Sequence, residues 1–288
     1  MHEPVSQPWE LDLSSEENTP LRNRLAIVGN GRIGAAIARA LALQVPFGRG
    51  FGGLLSEGHE HSGTNDPPGP TGHQSDSSPS ASLYEAVLLC VPDDEIAAAA
   101  ALLPKGILVG HCSGASGLEL LGEHEAFSIH PLITVTCTSD AVSGAEFSDA
   151  AAALDATTPR ALSYAGALAR RLGLKPFQLA AEDRSAYHAA ASIASNFLIT
   201  LEAAAERLAA TAGVERAQLL PLVRATVENW ARLGPERALT GPVARGDLQT
   251  IELQRRAVAE RTPELAELFE VLTSVTKSLA DSREPSLR

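Results

Sequence analysis

The sequence predicts an α/β domain with a mainly parallel, doubly wound sheet, followed by an all-α domain. Up to residue 180, short apolar runs alternate with segments of helical pattern, which is typical of a parallel sheet covered by helices on both faces. From Ala181 onward the strand pattern stops and long helical segments follow one another. The third observation is a glycine-rich turn directly after the first strand, which indicates what the sheet binds.

The predicted strands are apolar runs bounded by turn residues. In order, they are LAIV before Gly29, a short LALQVPF run, 86–91, 107–113, 126–132, a segment near 151–155, and 175–180. The helices of the α/β domain are expected directly after the glycine turn and at 93–103, 116–122 and 158–172. The all-α domain has the helical pattern at 184–212, 215–233, 247–260 and 263–280. Gly or Pro separates these last helices.

Three regions are predicted along the chain. Residues 1–20 form a polar tail, 21–180 the α/β domain, and 181–288 the helical domain. Segment 55–81 is rich in Gly, Pro, Ser, His and Asp, and it is expected to be a disordered insertion because it has too few apolar residues to fold alone.

Composition excludes several classes of function. The formal net charge of −12 and the pI near 5.1 argue against sequence-independent nucleic-acid binding, which needs a basic surface. The three cysteines have no metal-ligand spacing, so neither a zinc site nor a disulfide framework is predicted. No signal peptide or membrane span is found by pattern. The expectation is a cytoplasmic protein with no metal, nucleic-acid or membrane partner.

The glycine turn has the spacing of a dinucleotide-binding turn. Gly29 permits a tight turn, Gly31 lets the backbone approach a pyrophosphate, and Gly34 lets the helix pack closely on the strand. The pyrophosphate would lie at the N-terminus of the helix. The predicted cofactor-binding residues are Gly29, Asn30, Gly31, Arg32, Ile33 and Gly34 of the turn, together with Arg49, Val91 and Pro92.

The expected cofactor is NADP. NAD-binding turns are usually followed, about 20 residues on, by an acid that holds the ribose 2′-hydroxyl, but no acid closes the LALQVPF strand. Arg49, with Arg32, could instead pair with a 2′-phosphate. A solvated surface arginine is the alternative interpretation of Arg49.

Polar residues follow the strands at the edge where a parallel sheet binds its ligand. His111 and Ser113 come after ILVG, the apolar part of one predicted strand, and His130 comes after AFSI in the next. These residues are candidates for binding or catalysis, and each histidine has the alternative of bonding only to loop backbone.

The helical domain supplies two further groups. His188, Ser192 and Asn196 are spaced four apart on an otherwise apolar helix, which predicts a polar stripe facing a cleft, or else side chains satisfied by backbone. The loop 238–247 carries three more candidates, Thr240, Arg245 and Asp247. Arg245 could bind a carboxylate bidentately, or Arg245 and Asp247 could form a local ion pair.

Six motifs together resemble one bacterial family, the Rossmann-like proteins with a DUF2520 C-terminal domain, which are often described as NADP oxidoreductases. In order, the motifs are GNGRIGAAIARAL, LLCVPDDEI, HCSGASG, IHPL, YHAAASIASN and ALTGPVARGD. The resemblance implies a Rossmann domain followed by a helical domain of the 6-phosphogluconate dehydrogenase C-terminal type, as in ketopantoate and pyrroline-carboxylate reductases. It also implies a homodimer, since the helical domain of such proteins often dimerises.

One departure concerns the proton donor. Ketopantoate reductases use a helix lysine four residues before an asparagine, and Ser192 stands at that position here, before Asn196. His188 or His130 is therefore the expected proton donor, because imidazole titrates near neutral pH.

The leading hypothesis is an NADP-dependent oxidoreductase that reduces a small 2-oxo acid, most specifically ketopantoate for pantothenate synthesis. The predicted catalytic residues are His188, Asn196, Ser192, His130 and Ser113. The predicted substrate-binding residues are His111, Thr240, Arg245 and Asp247. Two alternatives remain open at this point: a non-catalytic NADPH sensor and a reductase of the deazaflavin F420.

Overall fold

A six-stranded sheet organises the amino-terminal part of the computed structural model, which describes residues 25–29, 31–41, 84–135 and 147–282. The strands within these ranges are β1 (Leu25–Val28), β2 (Ala86–Leu89), β3 (Leu108–His111), β4 (Glu125–Pro131), β5 (Ala151–Ala156) and β6 (Lys175–Gln178). The polar tail, all but the first residue of the LALQVPF strand, and the insertion 55–81 lie outside the described residues.

The sheet is mainly parallel, as predicted. Its strand order is β1-β2-β3-β4-β5-β6, and β1 to β4 all run in one direction. β5 is antiparallel to β4, and β6 is parallel to β5. The carboxyl ends of the first four strands therefore meet at a single edge. We call this edge the ligand edge, because parallel sheets bind ligands there.

The sheet forms because its strands are apolar throughout. Every residue of β2 is buried, as expected for a strand covered on both faces. One face packs against α1 (Arg32–Ala40) and α3 (Pro159–Arg171), and the other packs against α2 (Ile96–Ala101). Thr158 caps α3 by accepting a hydrogen bond from the Ala161 amide at 3.1 Å.

Helices make up the rest of the described chain. They are α4 (Arg184–Ser192), α5 (Leu198–Ala210), α6 (Arg216–Leu233), α7 (Pro235–Ala238), α8 (Pro242–Arg245), α9 (Leu248–Arg261) and α10 (Ala266–Asp281). The predicted long helix at 184–212 is interrupted by a π-helical turn at Ile193–Phe197. Asp93–Glu95, Leu118–Leu121 and Pro263–Leu265 form 3-10 turns, so the predicted helix at 93–103 begins as one of these.

The chain divides into two compact units, residues 1–191 and 192–288. We call them the sheet unit and the helical unit. Nearly all of α4 belongs to the sheet unit, because Arg184 and Tyr187 bond to the sheet. The division therefore falls about one helix later than the predicted boundary at residue 181. In the described part of the chain, no helix is both long and apolar enough to cross a membrane.

The helical unit buries little of its own apolar surface. Among its described residues, only Ile251, Val258 and Thr262 are fully buried. Its large exposed apolar residues are Ile193, Phe197, Ile199, Leu220, Leu222, Val227, Trp230, Leu248, Leu253, Val271, Leu272 and Val275. Exposed apolar surface on this scale is typical of an interaction face.

Candidate cofactor and active site

The glycine turn connects β1 to α1 at the ligand edge. Gly29 has φ +105°, and a Cβ there would overlap the carbonyl oxygen of Cys90. A Cβ on Gly34 would overlap the carbonyl of Gly29 and lie 2.9 Å from the Cβ of Cys90. Both positions therefore require glycine, the first for the turn and the second for close contact between helix and strand.

Gly31 differs because its surroundings are open. Its φ is −61°, and a Cβ there would meet only the Cys90 carbonyl oxygen, at 3.7 Å. Gly31 is also the N-cap of α1, and glycine offers no side chain to cap the helix. The open space beside Gly31 leaves the amides of the helix N-terminus accessible, as an approaching pyrophosphate would require.

The remaining residues predicted for the cofactor are placed as follows. Arg32 is the first residue of α1 and is exposed, and Ile33 packs partly buried against the sheet core. Val91 and Pro92 follow β2 at the ligand edge. Asn30 and Arg49 lie outside the described residues.

Ser113 holds its own turn together. Its hydroxyl donates to Asp93 Oδ2 at 2.7 Å and accepts from the amides of Ala115 and Ser116 at 3.2 and 2.9 Å. Ser116 also donates to Asp93, at 3.3 Å. Because these bonds satisfy the hydroxyl, the geometry favours a structural role for Ser113 rather than the predicted role of orienting a substrate carbonyl.

His111 is likewise structural rather than a substrate ligand. The residue lies inside β3 and is completely buried. Its Nε2 donates to the Gly117 carbonyl at 3.3 Å, and its Nδ1 accepts from the Ser113 amide at 3.2 Å. Burial lowers the pKa of His111, so the neutral ring serves to fix the turn after β3.

Tyr187 and His188 form a cluster of titratable side chains with His130. This residue lies inside β4 rather than after it. His130 Nδ1 is 2.8 Å from the Tyr187 hydroxyl, and the ring centroids of His130 and His188 are 6.0 Å apart. A Cβ on Gly114 would come within 2.7 Å of both imidazole rings. The structure thus brings the two predicted proton donors together at the ligand edge.

Arg184 anchors α4 to the sheet beneath this cluster. It is only 5% exposed, and its NH2 group donates to Ser128 Oγ and to Asp155 Oδ2, both at 3.0 Å. Its Nε is buried and has no hydrogen-bond partner among the described residues. Tyr187 lies three residues later, on the same side of the helix.

Their surroundings keep the His130 and Tyr187 side chains uncharged. Burial, together with the nearby His188 and Arg184, lowers the pKa of His130 to about 4. Burial raises the pKa of Tyr187 to about 12, against a smaller lowering by Arg184. At neutral pH His130 is therefore an uncharged imidazole, and Tyr187 retains its proton.

Ser192 and Asn196 belong to the helical unit, and their predicted alignment needs a correction. The expected stripe assumed the four-residue spacing of an α-helix. The π-helical turn at Ile193–Phe197 brings residues five apart, rather than four, onto one face. Asn196 is exposed and Ser192 is half-buried. Because π-helical turns are frequent at functional sites, the segment stays a candidate.

The loop 238–247 opens onto a cavity inside the helical unit. Thr240 and Arg245 line this space of about 890 Å³, together with Arg255 and Lys277. Asp247 instead caps α9, accepting from the amide and the hydroxyl of Thr250 at 3.0 and 2.7 Å. The geometry therefore favours capping over substrate binding for Asp247, and it keeps Thr240 and Arg245 as candidates.

Sequence reasoning gave no role to Tyr187, Arg184, Asp93 or Gly114. Tyr187 directly precedes His188, but it lies outside the four-residue spacing that His188, Ser192 and Asn196 share. The burial of Arg184 depends on Asp155, a distant residue in β5, and no local pattern reports such a contact. Asp93 and Gly114 stand in turns that the sequence did mark as ligand-edge turns.

The sheet, the three glycines and the uncapped N-terminus of α1 define a Rossmann-type dinucleotide-binding fold. Residues 150–276 match the model of a domain of unknown function, DUF2520. Protein TM1727 from Thermotoga maritima is 30% identical, with 69% of this chain and 80% of that chain covered and a TM-score of 0.60. The chain belongs to the DUF2520 domain family, which confirms the resemblance noted in its motifs.

Two more distant structures share the fold. The "putative NADP oxidoreductase" BF3122 from Bacteroides fragilis is 19% identical, with a TM-score of 0.69 over 90% of this chain and 100% of that chain. A 1-pyrroline-5-carboxylate reductase from Streptococcus pyogenes is 13% identical, with a TM-score of 0.54 over 89% of this chain and 98% of that chain. A search of curated proteins found no match.

Proposed function

We propose that this protein is an NADP-dependent oxidoreductase that transfers a hydride to the carbonyl carbon of a small 2-oxo acid, with ketopantoate as the most specific substrate. The observation that carries the proposal is the open position at Gly31, in front of the uncapped N-terminus of α1. This arrangement leaves the helix amides accessible and fits a pyrophosphate.

The residues present fit NADPH in particular. The turn around Gly31 holds the pyrophosphate, and the exposed Arg32 offers a guanidinium for the 2′-phosphate, with Arg49 as its proposed partner. The relative from Bacteroides fragilis, described as an NADP oxidoreductase, supports this choice.

When bound, NADPH supplies the hydride, and the protein supplies position and a proton. The electron pair of the reduced carbonyl moves onto its oxygen, which must then take up a proton. His188 is the proposed donor, because it lies half-buried beside His130. His130 has a pKa of about 4, so it is uncharged at neutral pH and suits a hydrogen-bonding role better than that of proton donor.

Arg245 is proposed to bind the substrate carboxylate. It is exposed, lines the cavity of the helical unit, and forms no ion pair in the part of the chain that the structure describes. Its planar guanidinium can hold a carboxylate through two parallel hydrogen bonds. Thr240, Ser192 and Asn196 are the proposed polar groups that orient the rest of the substrate.

The test is an assay of NADPH and NADH consumption against a panel of 2-oxo acids that includes ketopantoate. Replacing His188 by Gln should lower kcat by about 10²–10⁴-fold if His188 donates the proton. His124→Gln is the matched control, since His124 precedes β4 at the opposite edge of the sheet and bonds to the Ala100 carbonyl. Equal turnover by the two variants would remove His188 from this role.

Pyrroline-5-carboxylate belongs in the same panel, because the relative from Streptococcus pyogenes is named as a reductase of that compound. Turnover of this imine alone would reassign the reacting bond from C=O to C=N. NADPH binding without any turnover would favour the sensor, and bleaching of F420 with NADPH would favour the deazaflavin reductase.

We further propose that the helical unit pairs with a second copy of this chain. Only three of its described residues are fully buried, whereas twelve large apolar side chains are exposed. A homodimer would remove much of this surface from water, at about 25 cal/mol for each Å² of apolar area.

A further inference from the structure

We propose that Tyr187, anchored through Arg184, is a positioning residue that fixes the proton and the orientation of the His130 ring, so that His130 presents Nε2–H as a neutral hydrogen-bond donor to the substrate. This inference rests on the proposed reductase function and deepens it. It separates the two histidines, because His188 would supply the proton while His130 would bind the developing negative charge.

The direction of the Tyr187–His130 hydrogen bond decides which imidazole nitrogen carries the proton. The 2.8 Å bond joins the Tyr187 hydroxyl to His130 Nδ1, and this hydroxyl makes no other hydrogen bond among the described residues. A phenol has one proton to donate, and an imidazole nitrogen is a strong acceptor. With Tyr187 donating, Nδ1 carries no hydrogen and the proton of the neutral ring resides on Nε2.

The Nε2–Cε1 edge of the His130 ring lies close to Gly114. A Cβ at residue 114 would lie 2.7 Å from His130 Nε2 and Cε1, and 2.7 Å from His188 Cδ2. Nε2 is therefore beside the second imidazole at the ligand edge, and glycine is the residue that lets both rings approach the turn after β3. The proposal places the substrate oxygen within hydrogen-bonding distance of Nε2 at this point, as a donor to developing negative charge requires.

Arg184 makes the position of Tyr187 rigid. One hydrogen bond of its guanidinium joins the first turn of α4 to Ser128 in β4, and a second, within an ion pair, joins it to Asp155 in β5. Tyr187 follows one turn later in α4. His130 lies two residues after Ser128 in the same strand, so both side chains are on one face of the sheet. Tyr187 and His130 thus lie on α4 and β4, two elements that the buried Arg184–Ser128 hydrogen bond joins directly.

The charges around His130 agree with a neutral ring. Burial, His188, Arg184 and His111 all lower the pKa of His130. Asp93 raises this pKa, but its effect is smaller than that of burial or of His188. A neutral imidazole that donates a hydrogen bond polarises a carbonyl and still leaves the proton transfer to another group.

The test measures the 15N resonances of the His130 ring in histidine-labelled protein, assigned with the variant His130→Gln. In the unchanged protein we expect Nδ1 to report an acceptor without hydrogen and Nε2 to report a bonded hydrogen, throughout pH 6 to 8. In Tyr187→Phe we expect the Nδ1 resonance to move to that of an unbonded nitrogen. The same loss of a hydroxyl in Tyr84→Phe, remote from the cluster, should leave both resonances unchanged.

Kinetics supply the second measurement. Tyr187→Phe should lower kcat by about ten-fold while KM for the substrate changes less than about two-fold. This loss is smaller than the about 10²–10³-fold that results when a transition-state donor is removed altogether, as in His130→Ala. A merely structural role for Tyr187 would raise KM and lower stability while leaving kcat unchanged.

Two results would overturn the inference: a hydrogen on Nδ1 in the unchanged protein, or an unaltered kcat in Tyr187→Phe. The NMR measurement needs no substrate. An absence of reductase activity would therefore refute the proposed function, and the assignment of the His130 proton would still be decided.

Discussion

The two units of this protein differ most in how they treat apolar side chains. In the sheet unit, Phe127 is 0% exposed in the centre of the sheet, whereas Phe197 of the helical unit is 56% exposed. The sheet unit completes its own core, with helices on both faces. The helical unit forms well-defined helices, but it leaves their apolar sides uncovered. Helical pattern alone therefore does not reveal whether a segment packs within its own chain or against another.

The largest expected effect comes from the same substitution made in both units. Phe127→Ala should lower the free energy of unfolding of the sheet unit by about 3–5 kcal/mol, because it leaves a cavity in a closed core. Phe197→Ala should change the stability of the isolated chain by less than about 1 kcal/mol. Chemical unfolding at low protein concentration measures both values, and equal losses would remove the distinction between the units.

The next effect is the loss of stability in acid. It concerns the sheet unit, which contains every histidine that the structure describes. The pKa of His130 is about 4 in the folded protein against 6.5 as its ordinary value, so the unfolded chain binds the proton more readily. Its contribution to stability is complete above about pH 6.5 and is lost as the pH falls toward 4, by on the order of 2–3 kcal/mol.

Unfolding measured from pH 7 to pH 4 tests this dependence. His130→Gln should flatten the acid dependence, with a remainder due to His111, whose pKa burial also lowers. His124→Gln serves as the control and should leave the curve as it is. A curve that His130→Gln does not change would mean that His130 is already solvated in the folded protein.

The smallest of the three effects is on assembly. Leu220, Val227 and Trp230 lie along one side of α6 and are all exposed, at a spacing that brings them onto one helix face. Trp230→Glu should weaken association between copies at least about ten-fold, or about 1.4 kcal/mol. Ala225→Glu adds the same charge on another side of α6 and should have little effect.

Light scattering over a range of protein concentrations measures the mass of each variant. A dimer that persists equally in both variants would show that this side of α6 is not the interface. A monomer at every concentration in the unchanged protein would contradict pairing of the helical unit altogether.

Much of the fold could be predicted from the sequence, because local signals carry it. Gly29, Gly31 and Gly34 act through backbone geometry, which three residues determine, and the structure gives the first and third the tight contacts their roles require. The strands after Ala86 were also predicted within a few residues, since their apolar runs are continuous.

The site was predicted less completely, because its chemistry depends on contacts between distant residues. Ser113 and Asp247 were predicted as site residues, yet their hydrogen bonds to Asp93 and Thr250 favour structural roles. The Tyr187 hydroxyl bonds to His130, which is 57 positions away in the sequence. The π-helical turn after Ser192 has no clear sequence signal, and it changes which residues share a face.

The central claim, that the turn at Gly31 binds a dinucleotide, is tested most directly by titrating NADPH into the unchanged protein and into Gly31→Ala. The fold tolerates alanine here, since φ is −61° and a Cβ would meet only the Cys90 carbonyl oxygen, 3.7 Å away, so stability should change by less than about 1 kcal/mol. Gly166→Ala adds a methyl group far from the turn, in α3, and is the control. We expect micromolar binding, at least ten-fold weaker in Gly31→Ala alone; equal affinity in all three proteins would contradict the account.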